Sequence, residues 1–594
     1  MVIFRRYLCL FLALMVLLCL FGCSAPTPIE QLPPTEAELL YGRLFDVRNK
    51  IEIELKMPEE EIAKLQADFE EYAKDKNEQS PIYRMADFII SITSPEGKTE
   101  TYTYEQVGVR LKGTSYSRVS FYSKERGVYN LNHLKISFQE TFDDTEIYGE
   151  DALSWTQTDR DARKKRTFAT LEELDLKFNR SDDATYIRDY YSSIIFRESG
   201  LLCAQSNLST VRWADMFLGV WTITEPVDKI FLERNLPKSA QGGDLYKCAY
   251  LTKFDGKDTI GIENEREGKF YLIDLKTNKK TSDFSKIKEL IAMLNDYPSK
   301  EEIAEKVDID QWLTFCAVSF FVGNPDDMRN DFNNFAVYFP PDTGKAIFIA
   351  RDFDRGLGVT HNQNYTKCTM TQVSPYSTTI AWTGEDQPNP LFLYTVCSGG
   401  YYVREFTEKL AEVAKNPYFA TDKFEEYYEI SKNLYEKDTK PDKTFDNTKG
   451  KFFAFDINKT SPLTEKPNSS FSDYITARMR NYRMQVQDVE KHADVNVKIS
   501  TDHYLSGSFN GFSRQEEYEL GVVGEGVFGI TVTFREQTNF NITFAAAGIR
   551  FGYNKLKQSD VNCLKDGGGN ITISPGKYRI EITAVGHDIT IKKL

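Results

Sequence analysis

Two acidic segments in the middle of the chain hold the residues best suited to do chemistry. Asp326 lies in a loop rich in Asp and Asn that follows the apolar run 312–322, and Asp352 and Asp354 follow the second of two strand-like segments further on. The turn 340–344 joins those strands, so we expect one hairpin to bring both acidic segments to the same end. Carboxylate and amide oxygens gathered in this way suit Mg²⁺ or Mn²⁺, which bind carboxylates together with substrate phosphates. Two polar loops that only cap buried elements are the alternative.

Two earlier segments have features that suit phosphate groups. The hydroxyl-rich turn Gly113 to Ser117 follows a strand, and its backbone N–H groups and hydroxyls could wrap phosphates, although Gly-Thr-Ser is also an ordinary turn. Lys135 lies among apolar neighbours in the strand-like segment 132–138, and a lysine inside a strand is uncommon without an anionic partner. An edge strand would also explain this lysine, and the sequence leaves both explanations open.

Length, charge and cysteines limit the class of protein. With 594 residues the chain exceeds one typical core, so more than one domain is expected. The formal net charge of -14 argues against a nucleic-acid-binding surface. Outside the first 23 residues no Cys-x-x-Cys pair occurs, which predicts buried thiols rather than a metal cluster.

The first residues have the pattern of a bacterial lipoprotein signal. A basic pair at 5–6 precedes the apolar segment 7–21, which is short for a membrane span but suits a signal peptide. We predict a signal peptide at 1–22, lipidation of Cys23, a Pro-rich tether at 23–45, and anchoring at the extracytoplasmic face of a bacterial membrane. An ordinary signal peptide with an incidental cysteine is the alternative.

The pattern of elements changes twice along the chain. Alternating strand patterns dominate the first half, and helical periodicity dominates from residue 284 onward. In 496–594, short alternating strands recur about every 8–12 residues between Gly-rich turns. The sequence therefore predicts an α+β chain with a mixed domain at 46–490 and an all-β sandwich at 496–594.

From about residue 46 to 490 the chain resembles the CotH (spore coat protein H) kinase family, which comprises atypical secreted protein kinases of bacteria. No single segment is diagnostic, but the matching segments occur in the order of the family. They are 110–117, 134–138, 148–149, 186–189, 219–228, 243–247, 324–338 and 352–358. The resemblance implies an atypical two-lobed protein-kinase-like fold that transfers the γ-phosphoryl group of ATP to Ser/Thr hydroxyls with Mg²⁺ or Mn²⁺. It also implies a surface or coat protein as the acceptor.

The resemblance assigns a role to each matched position. Asp326 and Lys135 would be catalytic, because one would orient the acceptor hydroxyl and the other would pair with nucleotide phosphates. Nucleotide contacts would come from Lys135, Gly113, Ser115, Ser117, Tyr148 as an adenine platform and Glu225 as a partner of Lys135, and metal contacts from Asp352, Asn334, Asp354 and Asp326. Glu225 and Asn334 could instead be loop residues, Tyr148 a core aromatic and Asp354 a turn former.

The chain departs from the family pattern in three ways. Ala346 stands where relatives commonly have an aromatic residue. Asp327 matches the catalytic-loop carboxylate of the family as well as Asp326 does. Segments 141–170 and 359–390 are long insertions. A catalytically silent surface scaffold or adhesin with a kinase-like fold is therefore an alternative function.

The C-terminal segment bears a fainter resemblance to starch-binding-type β-sandwich modules, through 504–512, 569–573 and 575–580. Such modules usually stack sugars on Trp, but Phe512 occupies the corresponding platform position. A glycan-binding surface lipoprotein is thus a further alternative, and a spacer sandwich is an equally good explanation of this segment.

Overall fold

The computed structural model describes residues 33–594 apart from 73–79, 114–118, 124, 181–182, 265–268, 297, 360–369, 372, 378–388, 398, 449–453, 459–469, 494–500, 525 and 546–547. Helices and several separate sheets occur together, so the predicted α+β class is confirmed. Among the described residues, no helix has the length and apolar character needed to cross a membrane. The five cysteines in this part of the chain are buried free thiols, as predicted.

The first unit is a closed seven-stranded barrel. Its strands are β1 (Lys50–Lys56), β2 (Arg84–Thr93), β3 (Thr99–Lys112), β6 (His133–Ser137), β7 (Glu173–Phe178), β8 (Ser206–Trp213) and β9 (Met216–Thr224), while β4 (Tyr122–Ser123) and β5 (Val128–Tyr129) form a separate pair. The order is β1-β2-β3-β6-β7-β9-β8, and the parallel pair β1–β8 closes the barrel. Leu134 and Leu176 pair in register and lie in the apolar interior, so the charged residues that alternate with them lie on the outer face.

A helix belonging to this unit corrects one predicted boundary. Helix α1 (Glu36–Phe45) begins with a capping box formed by Thr35 and Glu38, and it buries an apolar stripe that includes Leu44 against the barrel. The predicted tether 23–45 is therefore too long, since its last ten residues form this helix. The Pro-rich composition that suggested a tether does not extend beyond Pro34.

The second unit, called the helical unit below, contains a five-stranded sheet in the order β11-β12-β10-β13-β14. The strands are β10 (Asp244–Cys248), β11 (Ile260–Gly261), β12 (Ile273–Leu275), β13 (Phe335–Phe339) and β14 (Ile347–Ala350). One face of the sheet packs on helices through Tyr246 and Phe348, and the other face carries Leu245 and Ile349. The helices of the first two units after α1 are α2 (Glu59–Tyr72), α3 (Thr145–Tyr148), α4 (Gln157–Lys164), α5 (Arg188–Glu198), α6 (Lys229–Asn235), α7 (Ser285–Leu294), α8 (Lys300–Lys306), α9 (Ile309–Val322), α10 (Met328–Asp331), α11 (Pro390–Thr395), α12 (Val403–Val413), α13 (Thr421–Tyr435) and α14 (Phe471–Ala493).

The third unit, called the β module below, has two five-stranded sheets that share one apolar core. Its strands are β15 (His503–Gly507), β16 (Gly521–Gly524), β17 (Val527–Phe534), β18 (Thr538–Phe544), β19 (Ile549–Phe551), β20 (Leu556–Ser559), β21 (Leu564–Lys565), β22 (Ile571–Ile573), β23 (Gly576–Thr583) and β24 (Ile589–Lys593). The module contacts the helical unit where Phe528 lies against Gly399, since a Cβ added there would come within 2.8 Å of the ring. The absence of a side chain at Gly399 therefore permits this docking.

Candidate functional site

The hairpin of β13 and β14 brings the two acidic segments together, as predicted. Phe335 pairs with Ala350, and the Arg351 N–H donates to the Asn334 carbonyl at 2.9 Å. Asn334 and Asp352, which flank this pairing, have φ angles of 54° and 56°. Two neighbouring residues other than glycine in the left-handed region are uncommon, and such strain concentrates at functional sites.

The loop before β13 holds Asp326 through its neighbours. The Asn324 side-chain oxygen accepts from the Asp326 N–H at 3.0 Å, and the Asn334 side chain donates to the Asp326 carbonyl at 2.8 Å. Asn333 donates to the carboxylate itself at 2.9 Å, and Arg355 Nε lies 3.8 Å from it. Burial raises the pKa of Asp326 to about 6 against the opposing effect of Arg355. This carboxyl group is therefore poised to exchange a proton near neutral pH.

The neighbouring acid, Asp327, has a different position. Its side chain caps the N-terminus of α10 and accepts from the backbone N–H and the side chain of Asn330 at 2.9 and 2.8 Å. Burial raises the pKa of Asp327 to about 7. Because this carboxyl group is occupied as a helix cap, Asp326 is the acid available to the site.

Lys177 joins three elements at the boundary of the barrel and the helical unit. It lies on β7 and its Nζ is 2.6 Å from Asp189 in the first turn of α5 and 2.7 Å from Asp352. Asp189 also accepts from the Phe353 N–H at 3.1 Å, which ties the helix to the Asp352 segment. The Lys177 side chain is only 10% exposed, so the ion pair lies in a largely desolvated position. Such a pair is costly unless its geometry is well satisfied, as it is here.

The charged groups of this network stabilise one another in their ionised forms. Burial alone would lower the pKa of Lys177, but the carboxylates of Asp189 and Asp352 raise it well above its ordinary value. Burial alone would raise the pKa of Asp352, but the Lys177 ammonium holds it below its ordinary value. Lys177 and Asp352 are therefore both ionised at neutral pH. A charged lysine beside a carboxylate of this kind can contact an anionic substrate and a cation at the same time.

Lys135, the lysine predicted to pair with phosphates, lies elsewhere on the same barrel. Its Nζ is 2.5 Å from Glu173 on the neighbouring strand β7, and the opposing charge raises the pKa of Lys135 although burial alone would lower it. The edge-strand explanation is wrong too, because β6 lies between β3 and β7. Lys135 has its anionic partner within the barrel, and the assignment of Lys135 to the Asp352 site is corrected to Lys177.

Two further predicted nucleotide contacts are occupied by structural interactions. Glu225, predicted to partner Lys135, is 2% exposed and accepts from Tyr41 at 2.8 Å and from Arg234 at 2.5 Å. Tyr148, predicted as an adenine platform, is 8% exposed and packs on Phe142 at 5.6 Å between ring centroids. Glu225 therefore partners Arg234 and Tyr41 rather than Lys135, and Tyr148 is a core aromatic, which is the alternative that the sequence left open.

The predicted phosphate-binding turn is only partly described. Gly113 has a φ angle of 121° and follows Lys112, which forms an ion pair with Asp175 on the outer face of the barrel. Ser115 and Ser117 lie outside the described residues, and so does Cys23. Their predicted roles stay predictions.

The oxygen atoms that could bind a metal at this site fit a hard divalent cation only together with a substrate. Within the described ranges, no three His, Cys, Asp or Glu side chains are arranged to hold a metal ion by themselves. Asp352 is 45% exposed and contacts Lys177 through Oδ1, which leaves Oδ2 available, and Asn334 uses only its NH₂ group toward Asp326. Asp354 lines a small cavity beside Lys177. One or two carboxylates completed by substrate phosphates is the ligand set that Mg²⁺ prefers.

The sequence contained a signal for Lys177 and Asp189 that was not used. Lys177 stands in an alternating strand that leads directly into a helix, and Asp189 lies in the first turn of that helix. A strand lysine followed by an acidic residue at the start of the next helix is the order in which protein kinases supply their lysine and its helix-borne acid.

Comparisons with known proteins identify a family. A solved structure of the Shewanella oneidensis MR-1 toxin-antitoxin system HipA, HipB and its operator DNA complex is similar over 80% of this chain and 76% of that chain, at 12% identity and a TM-score of 0.24, which supports no conclusion about fold or function. No curated protein matches the chain. The family model described as CotH kinase protein matches residues 109–482, which include Lys177, Asp326 and Asp352. The chain therefore belongs to the CotH kinase protein family.

Proposed function

We propose that this chain is an exported, lipid-anchored protein kinase that transfers the γ-phosphoryl group of ATP to Ser/Thr hydroxyls with a divalent metal. Membership of the CotH kinase protein family supports the kinase class. The observation that carries the proposal is the ion pair that Lys177 makes with both Asp189 and Asp352, next to Asp326. Phosphoryl transfer requires mainly positioning and neutralisation of charge, and this network supplies both.

Lys177 is the proposed phosphate contact on the barrel side. Its ammonium would bind oxygens of the triphosphate, and Asp189 would hold the lysine in place through the 2.6 Å contact. Protein kinases use a strand lysine and a helix acid in this way. The Phe353 N–H, bound to the same Asp189, keeps the Asp352 segment aligned with the lysine.

Asp326 is the proposed catalytic carboxylate. It would accept the proton of the acceptor hydroxyl as the new O–P bond forms and the bond between the γ-phosphorus and the bridging oxygen breaks, so that the negative charge leaves on ADP. A pKa of Asp326 raised to about 6 by burial suits proton exchange at neutral pH. The contacts from Asn333 and Arg355 fix the carboxylate while its loop stays anchored by Asn324.

The metal would be held by Asp352 and Asn334, with Asp354 and Asp326 alongside. Bound there, Mg²⁺ or Mn²⁺ would neutralise triphosphate charge. The φ angles of 54° and 56° at Asn334 and Asp352 aim both side chains from one end of the hairpin. Asn324 donates to the Asp352 carbonyl at 2.9 Å and so links this end of the hairpin to the Asp326 loop.

Location and acceptor are proposed from the sequence. The lipobox ending at Cys23 supports anchoring at the extracytoplasmic face of a bacterial membrane, where a surface or coat protein would be the acceptor. We interpret the two sheets of the β module as a sandwich that spaces the kinase from other surface components. Phe512 is 38% exposed, which leaves a glycan contact at this position as a secondary proposal.

The experiment is transfer of label from γ-labelled ATP with Mg²⁺ or Mn²⁺ to the protein itself and to dephosphorylated casein. Wild type is expected to transfer label, and Asp352→Asn to lose at least about 10²-fold in rate. Asp342→Asn is the matched control, because Asp342 is an exposed acid in the turn of the same hairpin. Equal rates for Asp352→Asn and wild type would remove Asp352 from the mechanism. Absence of transfer by wild type, together with no gain in thermal stability from metal and ATP, would favour the silent scaffold.

A further inference from the structure

The boundary between the barrel and the helical unit beside Asp352, called the cleft below, contains two cations that the proposed mechanism does not use. Lys247 lies on β10 and pairs in register with Ala336 of β13, which pairs in turn with Ile349 of β14. Cross-strand partners share a face of the sheet, so Lys247 and Ile349 are on the same face, and Arg351 follows Ile349 by two residues. Lys247 and Arg351 therefore line one end of this face, next to the Asp352 segment.

In the described part of the chain no carboxylate lies within ion-pair distance of these two cations, although Asp274, the cross-strand partner of Lys247, pairs with Lys276. Lys276, on the same face, contacts Asp274 and lies 3.3 Å from Glu263. Lys112, on the opposing barrel wall, is paired with Asp175. Within the described part of the chain, the side chains of Lys247 and Arg351 form no ion pair and no hydrogen bond, and Lys247 is exposed to the cleft.

Several cations lie close together at this place although the chain as a whole is acidic. Partial desolvation of the ammonium group, followed by the cations of Lys276 and Arg351, lowers the pKa of Lys247 to about 7, and Lys112 acts in the same direction. Glu263 opposes this effect but is already bound by Lys276. Arg351 is also close enough to Lys112 and Asp175 on the barrel to influence their pKa values. A formal net charge of -14 makes a concentration of unpaired cations here more notable.

We propose that Lys247 and Arg351 form an anion subsite on the helical-unit wall of the cleft and bind a phosphate group of the nucleoside triphosphate, opposite the contact made by Lys177. The inference rests on the proposed function and assigns the nucleotide a second phosphate contact. Two unpaired cations repel each other, and an anion bound between them would relieve this repulsion. A phosphate group should therefore bind favourably at this position. Arg351 is suited to a bidentate phosphate contact, and Lys247 to a single charged one.

The test compares binding of three probes by calorimetry in the presence of Mg²⁺: ATP, inorganic tripolyphosphate and adenosine. The full-length variants are Lys247→Met, Arg351→Met and their combination, with Lys276→Met as the matched control because its charge is already paired on the same face. Each of the first two changes is expected to weaken ATP and tripolyphosphate about tenfold. Adenosine binding is expected to change less than about twofold, since adenosine has no phosphate.

Folding and ionic strength provide further checks. Removing a cation from an unpaired like-charge pair relieves repulsion, so the midpoint of thermal unfolding of the two single variants is expected to stay equal or rise. If Lys247 or Arg351 had a purely structural role, replacing it would lower the midpoint of thermal unfolding. Affinity of wild type for tripolyphosphate is expected to fall with added salt, and the double variant to show a shallower fall.

The outcomes separate this inference from the kinase proposal. If the double variant binds ATP and tripolyphosphate as wild type does, the subsite is wrong, whether or not label transfer occurs. If wild type binds tripolyphosphate and the double variant does not, but wild type transfers no label, the subsite stands and the kinase activity is wrong. If the double variant keeps ATP affinity but transfers less label to casein, the cations serve the acceptor, which contradicts the inference.

Discussion

Ionisable side chains are charged in one buried region of this molecule and neutral in another. At the boundary of the barrel and the helical unit, Lys177 stays charged between Asp189 and Asp352. In the β module, burial lowers the pKa of His503 to about 4 and that of His587 to about 3, so both are neutral at pH 7. Desolvating charges costs free energy that a neutral pair of rings avoids. The charged region agrees with the phosphoryl-transfer role that we propose for it, whereas the histidine rings of the β module pack against Phe544 and Phe551.

The largest effect is expected from the acid that positions Lys177. Asp189→Asn would remove one of the two carboxylates that hold the ammonium and would let the lysine shift toward Asp352. We expect kcat for label transfer to fall about 10²-fold with a smaller change in the KM for ATP, because a misplaced group loses its alignment in the transition state. Asp189→Glu is the rescue control, and we expect it to recover part of the rate. An unchanged rate in Asp189→Asn would show that Lys177 needs no positioning acid.

Replacing a buried acid outside the cleft should affect the stability of the fold rather than label transfer. Glu225 is 2% exposed and holds Arg234 and Tyr41, but it has no contact with the Lys177 network. Glu225→Gln would leave the Arg234 guanidinium without its opposite charge, and we expect the free energy of unfolding to fall by about 2 kcal/mol. Label transfer by the folded fraction should stay within about twofold of wild type. A large loss of transfer with unchanged stability would restore Glu225 to the site, as the sequence had suggested.

Acid should destabilise the β module selectively. His503 binds a proton less readily when folded, with its pKa at about 4, than when unfolded at its ordinary value of 6.5. Its contribution is therefore complete above pH 6.5 and declines as the pH falls toward 4, by about 2 kcal/mol between pH 7 and pH 5. Thermal unfolding of wild type and His503→Phe from pH 4.5 to 7.5 measures this difference. The variant should show a flatter dependence, and parallel curves for the two proteins would contradict the assignment.

The smallest effect is expected at the exposed ring of the β module. Phe512 is 38% exposed, so Phe512→Ser should change the free energy of unfolding by less than about 0.5 kcal/mol. If the module is a spacer, wild type and variant should be retained equally little on insoluble starch. Retention of wild type that the variant loses would instead support a glycan platform at this position.

The acidic hairpin could be predicted from sequence because all of its determinants are local. Two apolar strands, a Pro-Pro-Asp-Thr-Gly turn and the acids at the strand ends lie within one short segment, and the β13–β14 pairing has that arrangement. The choice between Asp326 and Asp327 needed the structure, because only the cap of α10 removes Asp327 from the site.

The choice between Lys135 and Lys177 could not be made from the strand pattern. Both lysines lie between buried apolar residues on adjacent strands of one barrel. Their partners differ because β7 leads into α5 and faces the Asp352 segment, whereas Lys135 faces Glu173. That distinction depends on which strand lies beside the helical unit, which is a property of topology. The role of Tyr148 failed for a similar reason, since an aromatic residue in a core and one in a cleft look alike in sequence.

The most direct test compares the two lysines in one assay. Label transfer from γ-labelled ATP with Mg²⁺ would be measured for Lys177→Met and Lys135→Met. Each change removes a lysine of the barrel that is paired with a carboxylate. We predict that Lys177→Met loses at least about 10²-fold in kcat/KM, whereas Lys135→Met stays within about threefold of wild type once folded protein is counted. Equal losses in the two variants, or a greater loss in Lys135→Met, would contradict the assignment of the phosphate contact to Lys177.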